Sequence, residues 1–152
     1  ITFSSIPQGY KHLQIRAYVL ALSAGGNLTM RFNNVSTAAY AHHNLTGDGT
    51  SVSASGTAST TGIVVSSGYI DNTSYVSPII IDIPDYSSST KYKVATTFSG
   101  CNTNGTTTQG LWLRSGLWNN SNAITDITFI MGGSNFASNV ANTQFALYGI
   151  KG

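Results

Sequence analysis

Apolar and polar residues alternate along most of this chain with a period of two, as they do in strands that bury one face and expose the other. From His12 to Leu22, the residues Leu13, Ile15, Ala17, Val19 and Ala21 share one face, and His12, Gln14 and Arg16 take the other. Asn27 to Asn33 is cleaner, with Leu28, Met30 and Phe32 opposed to Asn27, Thr29, Arg31 and Asn33. Gly25-Gly26 lies in the turn between these segments, which predicts an antiparallel hairpin. Further strands are expected at Ala39 to Leu45, Ser51 to Ser55, Gly62 to Ser67, Val76 to Ile83, Lys91 to Ser99, Gly110 to Leu117, Ile124 to Met131 and Thr143 to Ile150. Turn chemistry separates them at Asp48-Gly49, Asp71-Asn72, Pro84-Asp85, Asn104-Gly105, Asn119-Asn120 and Gly132-Gly133. The Ser/Thr/Gly-rich stretch from Gly47 to Gly62 is expected as a loose edge strand or a long exposed loop, anchored mainly by Val52. No segment carries a convincing helical period, and no repeat of 20 to 50 residues is present. The expectation is one all-β domain over residues 1–152, an antiparallel β-sandwich of jelly-roll-like type with eight to ten short strands.

Composition sharpens that picture. Only 8% of the residues are charged, against about 25% in a typical domain, and all five acids are aspartates: Asp48, Asp71, Asp82, Asp85 and Asp126. Glutamate, a leading helix former, is absent, which excludes a helical bundle. Hydrophobic residues at 41% supply enough apolar surface to exclude disorder. The seven cations, Lys11, Arg16, Arg31, Lys91, Lys93, Arg114 and Lys151, form no cluster, so no nucleic-acid partner is expected. No apolar run approaches the roughly 20 residues of a membrane helix, and no membrane insertion is expected. Cys101 is the single cysteine, so no internal disulfide can form. The chain opens on Ile1-Thr2-Phe3 without an initiator methionine or a signal-peptide pattern, and the expectation is a fragment or processed product of a longer polypeptide.

The same residues leave little room for catalysis. General acid–base chemistry needs two carboxylates, or a carboxylate and a histidine, converging in a pocket. Asp48, Asp71 and Asp85 sit at turns, Asp82 lies within an isoleucine-rich strand, and Asp126 lies at a strand start. His42 and His43 are adjacent, so on a strand their rings point to opposite faces and cannot easily share an ion. Cys101 lies between Gly100 and Asn102 with no basic neighbour, and no nucleophile elbow is present. No catalytic residue, metal or cofactor is expected.

One segment invites a binding role. Gly-Leu-Trp occurs twice in residues 110–118, and the even spacing puts Trp112 and Trp118 on one strand face with Arg114 between them. Leu111, Leu113 and Leu117 take the other face, which is expected to be the core. On that reading Trp112, Arg114 and Trp118 form an outward platform for a sugar or another chain. The alternative is a sheet covered on both sides, with the tryptophans beneath loops or in a subunit interface.

At its two ends the chain resembles a domain common in tailed-bacteriophage structural proteins. The resemblance rests on the opening Phe3-Ser4-Ser5-Ile6-Pro7-Gln8-Gly9-Tyr10-Lys11-His12-Leu13-Gln14-Ile15-Arg16 and the closing Phe145-Ala146-Leu147-Tyr148-Gly149-Ile150-Lys151-Gly152. Between them Arg31-Phe32-Asn33, Ile81-Asp82-Ile83-Pro84-Asp85-Tyr86, Ser115-Gly116-Leu117-Trp118 and Ala123-Ile124-Thr125 follow in the same order. The chain departs from the pattern at Asn33-Asn34-Val35, where the family often has an Asn-Gly-Asp turn. The resemblance implies a non-enzymatic module on the virion surface, often the C-terminal part of a longer chain and commonly a homotrimer. A fibre or tail-appendage domain contributing to host-surface adhesion is the first expectation, with other virion proteins and a host surface glycan as partners. Capsid decoration is the close alternative, and a carbohydrate-binding module using Trp112, Arg114 and Trp118 is another.

Overall fold

The computed structural model describes residues 1–20, 26–70, 76–102, 109–132 and 143–152, without the side chains of 67–70. Among these residues there are eleven strands and no helix. They are β1 (Thr2–Phe3), β2 (His12–Val19), β3 (Gly26–Phe32), β4 (Tyr40–Gly47), β5 (Val52–Thr60), β6 (Ile63–Ile70), β7 (Ser77–Pro84), β8 (Lys93–Cys101), β9 (Gly110–Trp118), β10 (Ile127–Met131) and β11 (Gln144–Ile150). They form two antiparallel sheets, one ordered β1-β10-β3-β6 and the other β11-β2-β7-β8-β9-β4-β5. The expected β-sandwich is what the chain adopts, with the short β1 added at the edge of the smaller sheet, where it pairs with β10.

The hairpin expected between the first two long strands does not form. β2 lies in the seven-stranded sheet, between β11 and β7, while β3 lies in the four-stranded sheet, between β10 and β6. Both strands bury one apolar face, and they meet the same core from opposite sides. Leu13, Ile15 and Val19 from β2 are fully buried, as are Leu28, Met30 and Phe32 from β3. Alternation specified the buried face of each strand and left its neighbour open. The remaining core comes from Ile79, Ile81 and Ile83 of β7, Ile63 and Val65 of β6, and Ile127 and Phe129 of β10. The Gly47–Gly62 stretch is an edge strand, as one of its two readings had it. Val52 does not anchor it, because its side chain is 74% exposed.

At one pole of the sandwich, distant segments are tied together by hydrogen bonds. Ile6 N–H donates to Thr125 O at 2.9 Å, and Ile124 N–H donates to Tyr86 O at 2.9 Å. The buried Tyr86 hydroxyl donates to Pro7 O, and Gln8 Nε2 donates to Ile6 O at 2.7 Å and to Ile124 O at 3.0 Å. These contacts pull residues 124–126 away from the strand expected to begin at Ile124, so β10 starts at Ile127. Asn33 closes the pole: its Nδ2 donates to Ala123 O at 2.8 Å, and its Oδ1 accepts from Thr125 N–H at 2.8 Å and Asp126 N–H at 3.1 Å. Asn33 and Asn34 both have positive φ, 49° and 57°, and Val35 N–H donates back to Phe32 O at 3.0 Å. That is a type I′ turn, in which asparagine tolerates the left-handed region that an Asn-Gly pair would occupy. Asn33-Asn34 thus closes a tight turn here without the glycine of an Asn-Gly pair. The expected turns at Asp71-Asn72 and Asn104-Gly105 lie outside the described residues.

At Gly116 of β9 the smaller sheet packs directly onto the larger one. A Cβ built there would lie 2.5 Å from Ile63 Cγ2, so only glycine lets β6 pack down onto β9. Gly116→Ala is expected to destabilise the fold by about 1–3 kcal/mol through overpacking, seen as a lower urea midpoint. Because the two side chains share one space, Ile63→Ala should cost less in the Gly116→Ala background than in the wild type. Additive losses in that double-mutant cycle would show that Gly116 serves something other than this close approach.

Candidate functional site

Each candidate from the sequence can now be placed. β9 does hold Trp112, Arg114 and Trp118 on one face, but that face points inward. Trp112 and Arg114 are 2% exposed and Trp118 is 0% exposed, whereas Leu111 and Leu113 are 52% and 46% exposed. The expected outward platform is therefore inverted. Trp118 packs against Phe32, ring centroids 5.6 Å apart, and stacks with Tyr40 at 6.3 Å. Trp118 fills the core between the sheets, and strand parity carries Trp112 and Arg114 inward with it. Its guanidinium lies 5.8 Å from the Trp112 ring, and burial lowers its pKa to about 10, so it stays charged at neutral pH.

The ionisable groups serve structure. His42 faces inward and His43 outward; burial first, then the charges of Arg114 and His43, lower the His42 pKa. His12 Nδ1 accepts from Asp85 N–H at 3.2 Å, at the pole and away from the pair. Asp48 holds its own turn, its carboxylate accepting from the backbone and hydroxyl groups of Thr50 and Ser51, which keep its pKa far below the usual carboxylate range. Asp82 accepts from Gln14 Nε2 at 2.8 Å across neighbouring strands, and Asp126 accepts from Thr125 Oγ1 at 2.7 Å. Asp71 lies outside the described residues. Cys101 is a buried thiol at the end of β8. Among the described residues, no group of three His, Cys, Asp or Glu side chains converges as a metal site would require.

Sequence reading missed the role of Lys93. Spacing made it one of seven scattered cations, yet it is 1% exposed and donates from Nζ to Lys91 O at 2.6 Å and Ser121 O at 2.9 Å. It ties the start of β8 to the segment after β9, and burial lowers its pKa. Beside it, Asp85 bridges Lys11 at 2.5 Å and Lys91 at 2.6 Å. Those two ammonium groups lower its pKa to about 2.

The inversion of β9 exposes a surface that the sequence reading had assigned to the core. Cross-strand register aligns Ile80, Phe98, Leu113, Leu45 and Ala54 in one row over β7, β8, β9, β4 and β5. Phe98, Leu113 and Leu45 in that row are each nearly half exposed, and Leu111, Val94 and Val52 flank it on the same face. A depression of about 520 Å³ lies between this row, at Leu45, Ala54 and Leu113, and the polar side chains of His43, Thr96 and Ser115. A parallel row holds Thr96, Ser115 and His43, with the His43 ring laid over Gly56. The outward faces of β8, β9, β4 and β5 carry no Asp, Glu, Lys or Arg. A second cleft, of about 510 Å³, lies at the far pole beside Asp48, Val76, Pro78, Asn102 and Gln109. Its one carboxylate is already engaged within its own turn.

Comparison with known proteins finds no family model, no curated protein and no solved structure that matches this chain.

Two outcomes follow from this placement. Trp118→Ala should cost about 3–5 kcal/mol of unfolding free energy, as for a core aromatic, measured by urea denaturation. A loss below about 0.5 kcal/mol would mark an exposed residue instead. Asp85 has a folded pKa near 2 against 3.8 for the free group, so its contribution is fully present above pH 3.8 and is lost as pH falls through about 2. Asp85→Asn should flatten the stability profile in that acid window. Added salt should shrink the difference, because the pair is solvent-exposed.

Proposed function

We propose that this chain is a non-enzymatic structural module of a tailed-phage virion. It is displayed on the particle surface as a homotrimeric fibre or tail-appendage domain and contributes to host-surface adhesion. The observation that carries this reading is where the segments resembling the phage domain meet. Residues Ile6 to Gln8, Asn33, Tyr86 and Ala123 to Thr125 come from four separate parts of the chain, and they bond to one another at one pole. Lys11 N–H joins them to the closing segment by donating to Ile150 O at 2.8 Å. Their shared task is to hold the sandwich closed. A resemblance concentrated in a structural clasp, with the carboxylates engaged in turns and pairs, supports a part that works by being assembled and displayed.

The carbohydrate-binding alternative loses its footing here, because Trp112, Arg114 and Trp118 are buried and cannot stack on a sugar. Capsid decoration draws on the same features and is separated by location. An antibody raised against the isolated chain, applied to intact particles for electron microscopy, should label a tail appendage. Mass measurement of the same chain in solution should give about 48 kDa, three times its 16.0 kDa. Label distributed over the head would assign decoration instead. A monomer that labels no particle would overturn the reading.

A further inference from the structure

We infer that the outer face of the seven-stranded sheet, centred on Phe98, Leu113 and Leu45, is the surface by which copies of this chain pack against one another. The inference rests on the homo-oligomeric part of the reading above and adds to it the place of contact. At their observed exposures, Val94, Phe98, Leu111, Leu113, Leu45 and Val52 leave roughly 600 Å² of apolar side chain open to water, a value at the top of the range for the largest patch on a monomer. It is also most of the ~800 Å² that each partner gives to a stable interface, before the intervening Ala, Gly, Thr and Ser positions are added.

Charge selects the occupant. A nucleic acid or an anionic lipid surface would need a cluster of cations on this face; the outward positions of β8, β9, β4 and β5 have none, and Arg16 on β2 is the one cation beside the row, with Asp82 of β7 near it. A glycan would need hydrogen-bonding groups across the patch; Thr96, Ser115 and His43 supply them along one flank only, and the central row offers Ile, Phe, Leu and Ala side chains. A charged protein partner would lose hydration there and gain no counter-charge. Further copies of this chain fit, because the apolar patches of three protomers, uncharged over β8, β9, β4 and β5, can meet about a threefold axis. Among the described residues nothing of the sandwich covers this face, since the other sheet occupies the opposite side of β8 and β9. The neighbouring edge adds to the case. β5 pairs only with β4, and it has no charge, no proline and almost no buried side chain, so nothing in its sequence blocks the approach of another chain.

Sedimentation equilibrium of the 152-residue chain tests this, with Leu113→Lys and Phe98→Thr on the face and Ile1→Thr on the opposite sheet as control. The wild type and Ile1→Thr should be trimeric at micromolar concentration. Both face variants should dissociate to monomers, with a dissociation constant raised at least about 100-fold and an unchanged far-UV circular dichroism spectrum. Phe98→Thr keeps a strand-forming residue at its position and carries the test should Leu113→Lys fail to fold. A wild type that stays monomeric at about 100 μM overturns the inference, as do face variants that remain trimeric. Glycan binding by a monomeric wild type, lost in Leu113→Lys, overturns it in favour of a receptor surface. The virion reading fails separately: a trimer broken by Leu113→Lys but never found on a particle upholds the interface alone, and a particle-bound monomer upholds the virion reading alone.

Discussion

Burial of Trp118 against Phe32 and Tyr40 decides which side of the seven-stranded sheet is inside, and strand parity then decides everything shown on the other side. With the Trp118 indole in the core, Trp112 and Arg114 follow it inward, while Leu111 and Leu113 must face out. Register then carries that choice sideways. Phe98 on β8 and Leu45 on β4 sit directly across from Leu113, so three strands present apolar side chains in one line. Gly116 makes the arrangement possible by leaving room for Ile63, which lets β6 close over the tryptophan-bearing face. The apolar outer row is thus a consequence of the same packing that builds the core.

The pole where the chain's distant segments meet gives the fold its second constraint. A sandwich whose strands mostly run to a partner in the other sheet must hold its connections by more than strand pairing. Here Asn33, Gln8 and Tyr86 satisfy backbone groups of segments that are far apart in sequence. Asn33 alone serves Ala123, Thr125 and Asp126, and a short polar side chain in a left-handed turn suits that task. Lys93 reaches the carbonyls of Lys91 and Ser121 nearby, and Asp85 draws Lys11 and Lys91 together. Several of the chain's few charges close one end of the molecule, and the outward positions of β8, β9, β4 and β5 carry none, Arg16 and Asp82 lying on the neighbouring β2 and β7.

That division explains why the catalytic inventory is thin. Asp48 and Asp85 hold turns and ion pairs, Asp82 meets Gln14, and Asp126 meets Thr125. For Asp48 and Asp85 those hydrogen bonds and ammonium groups lower the proton affinity, which is opposite to what a general acid needs at neutral pH.

Much of the fold was legible in the sequence. Alternation located ten of the strands within a few residues, because a half-buried strand imprints a period of two on its side chains, and the absence of glutamate and of helical periods excluded the other fold classes. The two-residue β1 left no such imprint. Alternation also fixed that Trp112, Arg114 and Trp118 share a face and that His42 and His43 do not. It could not say which face of β9 is buried, since Trp112 and Trp118 on one side and Leu111, Leu113 and Leu117 on the other are both apolar. Gly116 was the available sign, a gap between two large side chains where a neighbouring strand could press in. Nor could the sequence tell that β2 and β3 face each other across the core, or that Lys93 lies inside while Leu113 lies outside. Periodicity is a local property of the backbone and was readable from the chain; the choice between two apolar faces is a competition for one core, and only the tertiary packing decided it.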